Sequence, residues 1–429
     1  MNAIRSVHGR QVLDSRGRPT VEVEVTLSNG ASGRASVPSG ASTGSFEAHE
    51  LRDGDEAHYQ GLSVSLAVQH VRTEIADALH GKDASDQRAC DDLLRRLDGT
   101  PELSRLGANA VLGASLAICR AAAAGQPLYQ RIGELTGRRP TLPTPMVNIL
   151  SGGLHAGGRM DLQDVLVVPV AATSVAQAIE LVSRVRTAAT EVCAERGLPT
   201  LLADEGGLSP DCRTGADALG LISDAIERAG LEPGADIAIA LDIAATSLLD
   251  PISGRYRLRR EGRDLTADQM IDMIEAWIRE YPIISIEDPL GEEEWSGWST
   301  LTSRVGHRVQ VVGDDLYVTN RERLQRGIAE SSANGVLVKV NQNGTLTGAL
   351  DVILTACEAG VAPVVSARSG ETEDDFLADL AVGAGAGQIK IGSLRSSERL
   401  AKYNQLLRIA EDPQIPFAQR PHPTGGPVS

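Results

Sequence analysis

The chain contains few aromatic residues: Phe, Trp and Tyr together make up 3% of its 429 residues. Hydrophobic residues still reach 42%, so aliphatic side chains must form most of the core. No apolar run approaches the roughly 18 residues of a membrane-spanning helix. The first residues, MNAIRSVHGR, also lack the apolar region of a secretion signal. We therefore predict a protein with no membrane partner.

Cysteine is also scarce. The cysteines are Cys90, Cys119, Cys193, Cys212 and Cys357. Their number is odd, and no two of them have the Cys-x-x-Cys spacing. This pattern argues against a disulfide framework and against a zinc site, and it is typical of a reducing compartment. We therefore predict a cytoplasmic location.

Basic residues are outnumbered. Lys and Arg total 41 against 57 Asp and Glu, which gives a formal net charge of −16. Non-specific nucleic-acid binding depends on Lys and Arg that neutralise phosphates, so we expect no nucleic-acid partner. A local site can still carry the opposite sign from the whole molecule, and the composition is therefore compatible with a small anionic substrate.

The chain divides into two parts. Residues 18–37 alternate apolar and polar side chains and turn at Asn29-Gly30, which predicts a β-hairpin. Residues 62–133 have apolar positions at helical spacing, which predicts several helices. The Pro-rich segment 137–145 (GRRPTLPTP) then favours a boundary. We predict an N-terminal α+β domain over residues 1–136 and a larger domain over residues 137–429.

The larger part has a different pattern, in which short apolar runs end in polar or charged residues. The runs are VLVVP (165–169), TLLADE (200–205), IAIALD (237–242), PIISIE (282–287), VQVVGD (309–314), GVLVKV (335–340), APVVSAR (362–368) and QIK (388–390). Helical stretches such as 266–280 and 345–359 lie between most of them. Apolar strands alternating with helices indicate an α/β fold with a buried parallel sheet. Seven or eight such units favour a closed barrel.

Three acids follow apolar runs: Asp242, Glu287 and Asp314. In an α/β barrel the functional groups lie where strands end at the C-terminal rim, so these acids are candidates for one site. Converging carboxylates repel one another unless a cation neutralises them, and oxygen ligands suit Mg²⁺. The alternative for each acid is a helix cap or a loop ion pair.

Two lysines stand in apolar surroundings, Lys339 in VLVKV and Lys390 in QIK. A buried lysine is costly unless it pairs with a charge or takes part in chemistry. The two are candidates for a catalytic base and an electrostatic partner, and the alternative is a structural salt bridge. Glu205, in LLADEGG, would stand opposite Lys339 if strand order follows the sequence. A base and an acid on opposite faces of a substrate suit an anti elimination.

Two glycine-rich loops, SGASTG (39–44) and SGGLHAGG (151–158), are candidates for covers over the site. Neither is followed by the Gly-Lys-Ser/Thr of a phosphate-binding P-loop. The alternative for each is a surface turn.

Nine motifs in this order resemble the enolase (phosphopyruvate hydratase) family: LDSRGRPTVEVEV, VPSGASTG, ELRDGD, DEGGLSP, SIEDPL, GDDLYVTN, KVNQNGTLT, RSGETEDDF and SERLAKYNQLLRI. They cover nearly the whole chain. The resemblance implies an N-terminal α+β domain followed by an eight-stranded α/β barrel. It also implies reversible dehydration of 2-phosphoglycerate to phosphoenolpyruvate with Mg²⁺. A cytoplasmic homodimer or larger assembly is implied as well, with Arg16, Glu22 and Arg408 in the segments that form the family's dimer contact.

The resemblance also implies roles for single residues. Lys339 resembles the base that removes the C2 proton, and Glu205 resembles the acid that assists departure of the C3 hydroxyl. Asp164 stands where the family has a glutamate beside that hydroxyl. The implied ligands of the first Mg²⁺ are Asp242, Glu287 and Asp314, and that of the second is Ser42. The implied substrate-binding residues are Arg368 and Ser369 for the phosphate, Lys390 for the carboxylate, and His155 and Gln163 as residues that close over the substrate.

Several positions depart from the family pattern. Ala367 replaces a histidine, Asp164 replaces a glutamate, and Ser151 replaces an asparagine. The loss of a ring at Ala367 opens space next to Arg368, where the phosphoryl group is expected.

Three functions are therefore open. The first is an ordinary hydratase in which residues around the catalytic groups have changed. The second is a relative that uses the same chemistry on a bulkier phosphorus group, resembling the carboxyphosphonoenolpyruvate synthases of phosphonate biosynthesis. The third is a catalytically silent binding protein, against which the retained Lys339, Glu205 and Lys390 argue.

Overall fold

The computed structural model describes residues 2–40, 44–153 and 156–418. Its first part contains an antiparallel sheet in the order β1-β2-β3, made of β1 (Ile4–Leu13), β2 (Pro19–Leu27) and β3 (Ser32–Ser36). Val21, Val23 and Val25 of β2 are buried, while the glutamates between them point away from that face. The predicted hairpin is confirmed. The sequence analysis missed β1, whose polar residues interrupt the alternation.

Helices cover one face of this sheet. They are α1 (Ser65–His70), α2 (Ala76–Leu79), α3 (Gln87–Asp98), α4 (Ala108–Ala122) and α5 (Leu128–Thr136). Helix α4 lies very close to the sheet, because a Cβ atom at Gly33 would stand only 2.4 Å from the carbonyl oxygen of Ala117. Only glycine permits this approach. The prediction of several helices within residues 62–133 is confirmed.

A barrel forms the second part. Its strands and those of a small accessory sheet are β4 (Thr144–Ser151), β5 (Asp164–Val168), β6 (Ala238–Asp242), β7 (Leu249–Asp250), β8 (Arg255–Leu258), β9 (Arg263–Leu265), β10 (Ile283–Glu287), β11 (Gln310–Gly313), β12 (Gly335–Val338), β13 (Ala362–Ser366) and β14 (Gln388–Lys390). Eight of them close in the order β4-β5-β6-β10-β11-β12-β13-β14, and β7-β8-β9 form the accessory antiparallel sheet. The predicted α/β barrel with a smaller α+β domain before it is confirmed.

The helices of the second part are α6 (Val175–Glu195), α7 (Gly215–Arg228), α8 (Ala267–Glu280), α9 (Trp295–Val305), α10 (Arg321–Glu330), α11 (Val340–Asn343), α12 (Leu346–Glu358), α13 (Phe376–Gly383) and α14 (Ser397–Ile409). Among the described residues, no helix combines the length and apolar character needed to cross a membrane. The division at residues 136 and 137 stays a prediction; α5 ends at Thr136 and β4 begins at Thr144.

The expectation of an all-parallel barrel is wrong at one strand. Strand β5 pairs antiparallel with both β4 and β6, whereas the other neighbouring strands are parallel. No regular helix is described between β4 and β5, and a connection without a crossover helix reverses the chain direction. Two helices, α6 and α7, then return the chain to β6. As a result β5 begins, rather than ends, at the rim where the other seven strands of the barrel end.

The expected strand at 200–205 is also wrong. This segment is a loop between α6 and α7, in which the side chains of Leu201 and Leu202 are 63% and 42% exposed. A wholly apolar run forms a buried strand only when both of its faces are covered by other elements. The exposed side chains of Leu201 and Leu202 show that this segment is not covered in that way. The missing eighth strand is β4, which begins at Thr144 inside the Pro-rich segment. Pro145 is tolerated there because it lies near the start of the strand.

The barrel interior is packed with aliphatic side chains. Met146, Leu166, Val168, Ala240, Val312, Leu337 and Val364 form one buried cluster. A filled interior leaves no room for chemistry inside the barrel, so polar groups are confined to the rim.

Candidate active site

Three of the predicted metal-binding acids lie side by side at the rim. Asp242 is the last residue of β6, Glu287 is the last residue of β10, and Asp314 directly follows β11. Strand β10 pairs with β6 and with β11, and Glu287 stands in register with Asp242. All three side chains are buried. The structure therefore brings together carboxylates that are far apart in sequence.

Both predicted lysines face these acids. Lys390, the last residue of β14, donates from Nζ to Asp242 Oδ2 at 2.8 Å and to Glu287 Oε2 at 2.6 Å. Lys339 pairs with Asp314 Oδ2. It follows β12 rather than lying inside it, because the strand ends at Val338.

The electrostatics of these pairs follow from burial and charge together. Burial alone would lower the pKa of Lys390, but Asp242 and Glu287 raise it well above its usual value. Burial likewise opposes the charged form of Lys339, and the attraction of Asp314 again raises the pKa. Burial would raise the pKa of Asp314, and Lys339 reverses that effect and lowers it. Glu287 differs, because burial and Asp242 raise its pKa despite the contact with Lys390.

Two further acids, Asp288 and Asp315, belong to the same rim. Asp288 is buried at a φ of +44°, and burial together with Asp315 raises its pKa well above the usual range. Burial and the neighbouring Asp314 raise the pKa of Asp315 to about 7. Neither residue was predicted, although each directly follows a predicted ligand; a doubled acid at a strand end is the signal that could have found them.

These side chains surround a cavity of about 40 Å³. It is lined by Glu47, Gln163, Glu205, Asp242, Ala244, Asp288, Asp314, Asp315, Lys339, Ser366, Ala367, Arg368, Ser369, Lys390 and Ile391. Most predicted site residues therefore share one cavity. Asp164 and Glu287 are not among the lining residues and lie behind it. Ser42 and His155 fall outside the described residues.

Gln163 and Asp164 reach the rim because β5 starts there. Gln163 donates from Nε2 to Asp242 Oδ2 at 3.1 Å. Asp164 is 2% exposed, and its Oδ1 accepts hydrogen bonds from Asn148 Nδ2 at 2.6 Å and from Ser151 Oγ at 2.8 Å. Burial, and then the nearby Glu205 and Asp242, raise the pKa of Asp164 well above its usual range. This carboxyl therefore favours its protonated form.

Glu205 comes from the loop between α6 and α7. Its carbonyl oxygen accepts the backbone N–H of Ser393 at 2.9 Å, just beyond the end of β14. The side chain lines the same cavity as Lys339. Glu205 therefore lines the candidate site, as expected, but from a loop rather than from the end of a strand, and its role stays a prediction.

Arg368 and Ser369 follow β13 and are both buried. Arg368 NH1 donates to Glu47 Oε2 at 2.9 Å and to Asn341 Oδ1 at 2.9 Å. Glu47 belongs to the first part of the chain and also accepts the backbone N–H of Gly44 at 3.0 Å. Glu47 was not predicted, because nothing in its local sequence pattern shows that it reaches the barrel rim.

The donor set fits a hard divalent cation. Asp242, Glu287 and Asp314 are carboxylates on adjacent strands, and oxygen-only sites suit Mg²⁺ rather than zinc or copper. Among the described residues, the acids that offer oxygens within 4.8 Å of one another are Asp288, Asp314 and Asp315. The two sets share Asp314. We favour the first set, because both oxygens of Asp288 are held by backbone N–H groups at 2.9 Å each, whereas Asp242 and Glu287 accept from the side chain of Lys390, which can turn aside.

Two larger surface depressions, of about 640 and 620 Å³, lie along the edge of the N-terminal sheet, the first beside α13 and the second beside the start of α14. They are wide and shallow and contain none of the buried lysines of the rim. The smaller cavity is the better candidate site, because only there do buried acids, lysines and Arg368 converge.

Two protein-family models match the chain. The model described as "Enolase, N-terminal domain" matches residues 4–132, and the one described as "Enolase, C-terminal TIM barrel domain" matches residues 139–415. Members of this family generally bind Mg²⁺, in agreement with the donor set at the rim. With both matches in the order of the fold, the chain belongs to the enolase family and is an enolase-superfamily lyase.

Proposed function

We propose that the protein catalyses the Mg²⁺-dependent elimination of water from 2-phosphoglycerate, or from a close analogue, to give an enolpyruvate product. One observation carries this proposal: Lys339 and Glu205 line the same cavity as Arg368, Ser369 and Lys390. A base, an acid and groups that bind two anions are thus within reach of one small substrate.

The binding roles follow from charge and position. Arg368 and Ser369 bind the phosphoryl group, and Lys390 binds the substrate carboxylate. Asp242, Glu287 and Asp314 would hold the first Mg²⁺. When bound, Mg²⁺ stabilises the negative charge that develops on the substrate carboxylate. The remaining proposed contacts are Gln163, with His155 and Ser42 from the two glycine-rich loops.

The proton transfers follow from the side chains themselves. Lys339 removes the C2 proton in its neutral form, which burial favours and Asp314 opposes. Glu205 assists departure of the C3 hydroxyl by proton donation. Asp164, whose pKa is raised by burial and by the nearby Glu205, supports Glu205 from behind the cavity wall. A base and an acid on opposite sides of the substrate give an anti elimination.

A second function is supported by Ala367. Its methyl group lines the cavity next to Arg368, and Ala244 also lines this cavity with only a methyl group. Small side chains here leave room beside the phosphoryl position. A substrate with a carboxyphosphonate in place of the phosphate fits this feature, as in an enzyme similar to carboxyphosphonoenolpyruvate synthase.

The test is an assay of the purified protein on 2-phosphoglycerate and on its carboxyphosphonate analogue. The absorbance of the enol double bond is followed with Mg²⁺ and after chelation by EDTA. We expect Mg²⁺-dependent turnover of at least one substrate and none with a Lys339→Met variant. Turnover that persists in EDTA or in Lys339→Met would refute the proposed chemistry.

We also propose a homodimer or a multiple of it. Support comes from the family resemblance, in which the dimer contact includes the segments that carry Arg16, Glu22 and Arg408; Glu22 also lines a surface depression beside Arg34. Arg16 is better explained as an internal contact, because its guanidinium bonds to Asp14 and Ser39 of the same chain. Light scattering at micromolar concentration tests the assembly, and a monomer would contradict it.

A further inference from the structure

The segments that follow β13 and end β14 carry the proposed anion-binding groups. Arg368 and Ser369 come just after β13, and Lys390 is the last residue of β14. The two strands are paired in parallel, with Ser366 in register with Lys390. To bind the phosphoryl group and the carboxylate of one substrate, these groups must be held at a constant separation.

Arg399 of α14 connects the two segments. Its side chain is 0% exposed. NH1 donates to Arg368 O at 2.7 Å and to Ile391 O at 2.9 Å, and NH2 donates to Ser369 O at 2.7 Å. The three carbonyl groups therefore come from both segments, and they converge on one guanidinium. Arg399 itself is not among the residues that line the cavity.

Physical chemistry explains why arginine suits this position. The carbonyl groups lie beyond the ends of their strands, where ladder hydrogen bonds no longer satisfy them, and converging carbonyl dipoles repel one another. A guanidinium offers several donors in a rigid planar fork, whereas an ammonium is a compact point charge. The rigid fork therefore holds the three carbonyl groups in a fixed relative arrangement, whereas an ammonium on a flexible stem would hold them more loosely.

Two neighbouring residues of α14 also hold the segments that follow β13 and β14. Tyr403, one turn further along α14, donates from its hydroxyl to Gly392 O at 2.8 Å. Glu371 accepts the backbone N–H of Arg368 at 3.0 Å and pairs with Lys402 at 2.9 Å. Helix α14 thus contacts the backbone of both segments at several points without reaching the substrate.

We propose that Arg399 is a positioning residue that fixes the separation between the phosphate-binding pair, Arg368 and Ser369, and the carboxylate-binding Lys390. This inference rests on the proposed function of those three residues. A residue outside the cavity would then set the distance between the phosphoryl group and the carboxylate of a substrate that fits the site. The metal-binding acids stand on β6, β10 and β11, whose ends Arg399 does not touch.

The test uses Arg399→Lys in the full-length protein, with inorganic phosphate as the probe. Lysine keeps the positive charge but loses the fork. We expect the affinity for phosphate at saturating Mg²⁺ to fall about 10-fold or more, by analogy with the loss of outer partners that orient metal ligands. Mg²⁺ affinity should stay unchanged, and KM for the substrate should rise by more than kcat falls.

Arg138→Lys is the matched control. Arg138 also donates to two backbone carbonyls, Ala384 O at 2.9 Å and Gly385 O at 3.3 Å, but these precede β14 at the opposite end of the barrel. The same substitution there should leave phosphate affinity unchanged. If Arg399→Lys fails to fold, Tyr403→Phe is the substitute variant. It removes only the hydrogen bond from α14 to Gly392 O and should weaken phosphate binding to a smaller extent.

Arg368→Ala separates the two proposals. If it weakens phosphate binding while Arg399→Lys does not, the positioning role is wrong and the binding role stands. If Arg368→Ala binds phosphate as wild type does, the proposed binding role fails, and the inference on Arg399 fails with it. Equal losses of Mg²⁺ and phosphate affinity in Arg399→Lys would show general loosening and would also overturn the inference.

Discussion

The carboxylate of Asp288 accepts the backbone N–H of Asp314 at 2.9 Å and that of Asp315 at 2.9 Å. The backbone of Asp288 extends this connection: its N–H donates to Val312 O, and its carbonyl oxygen accepts the N–H of Ala245, both at 3.0 Å. Asp288 therefore connects the ends of β6, β10 and β11, the strands that carry the proposed metal-binding acids.

Replacing Asp288 with asparagine should weaken this connection. The amide offers one acceptor oxygen instead of two, so a buried backbone N–H loses its partner. A loss of this kind costs about 1–3 kcal/mol in the free energy of unfolding. Asparagine tolerates the positive φ, which leaves the hydrogen bond as the main change. We expect lower stability in urea unfolding and weaker Mg²⁺ binding by calorimetry.

Asp315→Asn is the control for that variant. It removes a neighbouring negative charge without removing either hydrogen bond made by the Asp288 carboxylate. Equal destabilisation of the two variants would show that charge, not backbone bonding, accounts for the effect.

Proton abstraction and dehydration should proceed at different rates on 2-phosphoglycerate. The base Lys339 lines the cavity, while Asp164 is held behind the wall by Asn148 and Ser151. General acid–base assistance raises reaction rates by about 10²–10⁴-fold. Weaker support of proton donation to the C3 hydroxyl should therefore slow dehydration by roughly that factor. We expect deuterium from D₂O to enter C2, measured by NMR, faster than phosphoenolpyruvate forms. Equal rates at ordinary enolase speed would contradict this prediction.

The double variant Ala367→His with Asp164→Glu distinguishes the two candidate substrates. Histidine at 367 would fill the space next to Arg368, and glutamate at 164 would extend a carboxyl toward the cavity. We expect faster dehydration of 2-phosphoglycerate and slower turnover of the carboxyphosphonate analogue, measured side by side. The matched single variant Asp164→Glu keeps the space at Ala367 open and should not slow turnover of the analogue. Loss of both activities in a folded double variant would argue against the space-making role of Ala367.

Asp379 predicts a pH-dependent component of stability. Its side chain is buried, accepting the Tyr129 N–H at 3.1 Å and a hydrogen bond from Gln405 Nε2 at 3.0 Å. Burial, and then Asp375, raise its pKa from 3.8 to about 6. Between these pH values the folded state binds more protons than the unfolded state, so this group's contribution to stability falls as pH rises from about 4 to 6.

Asp379→Asn removes that titration. Relative to wild type, the variant should gain about 2–3 kcal/mol of stability on going from about pH 4 to about pH 7.5, measured by urea unfolding at both pH values. The comparison between variants cancels the effect of the other titrating groups. A difference between variant and wild type that is the same at both pH values would refute the assignment.

Much of the site was predictable because of how barrels expose polar groups. A buried strand must remain apolar until it reaches the rim, so the first charged residue after an apolar run marks a rim position. This reasoning predicted the rim positions of Asp242, Glu287, Asp314 and Lys390, which the structure confirms, while their roles stay predictions. The family motifs added Arg368 and Ser369, which no periodicity distinguishes from other loop residues.

The sequence alone determined that an α/β barrel follows a smaller α+β domain, since these features depend on local patterns of burial. The direction of β5 and the contact of Glu47 with Arg368 were decided only by the tertiary structure. An apolar run has the same pattern whichever way its strand points, so direction depends on the connections and partners of the strand. Contacts such as those of Arg399 join residues on separate elements, and their geometry exists only once the barrel has closed.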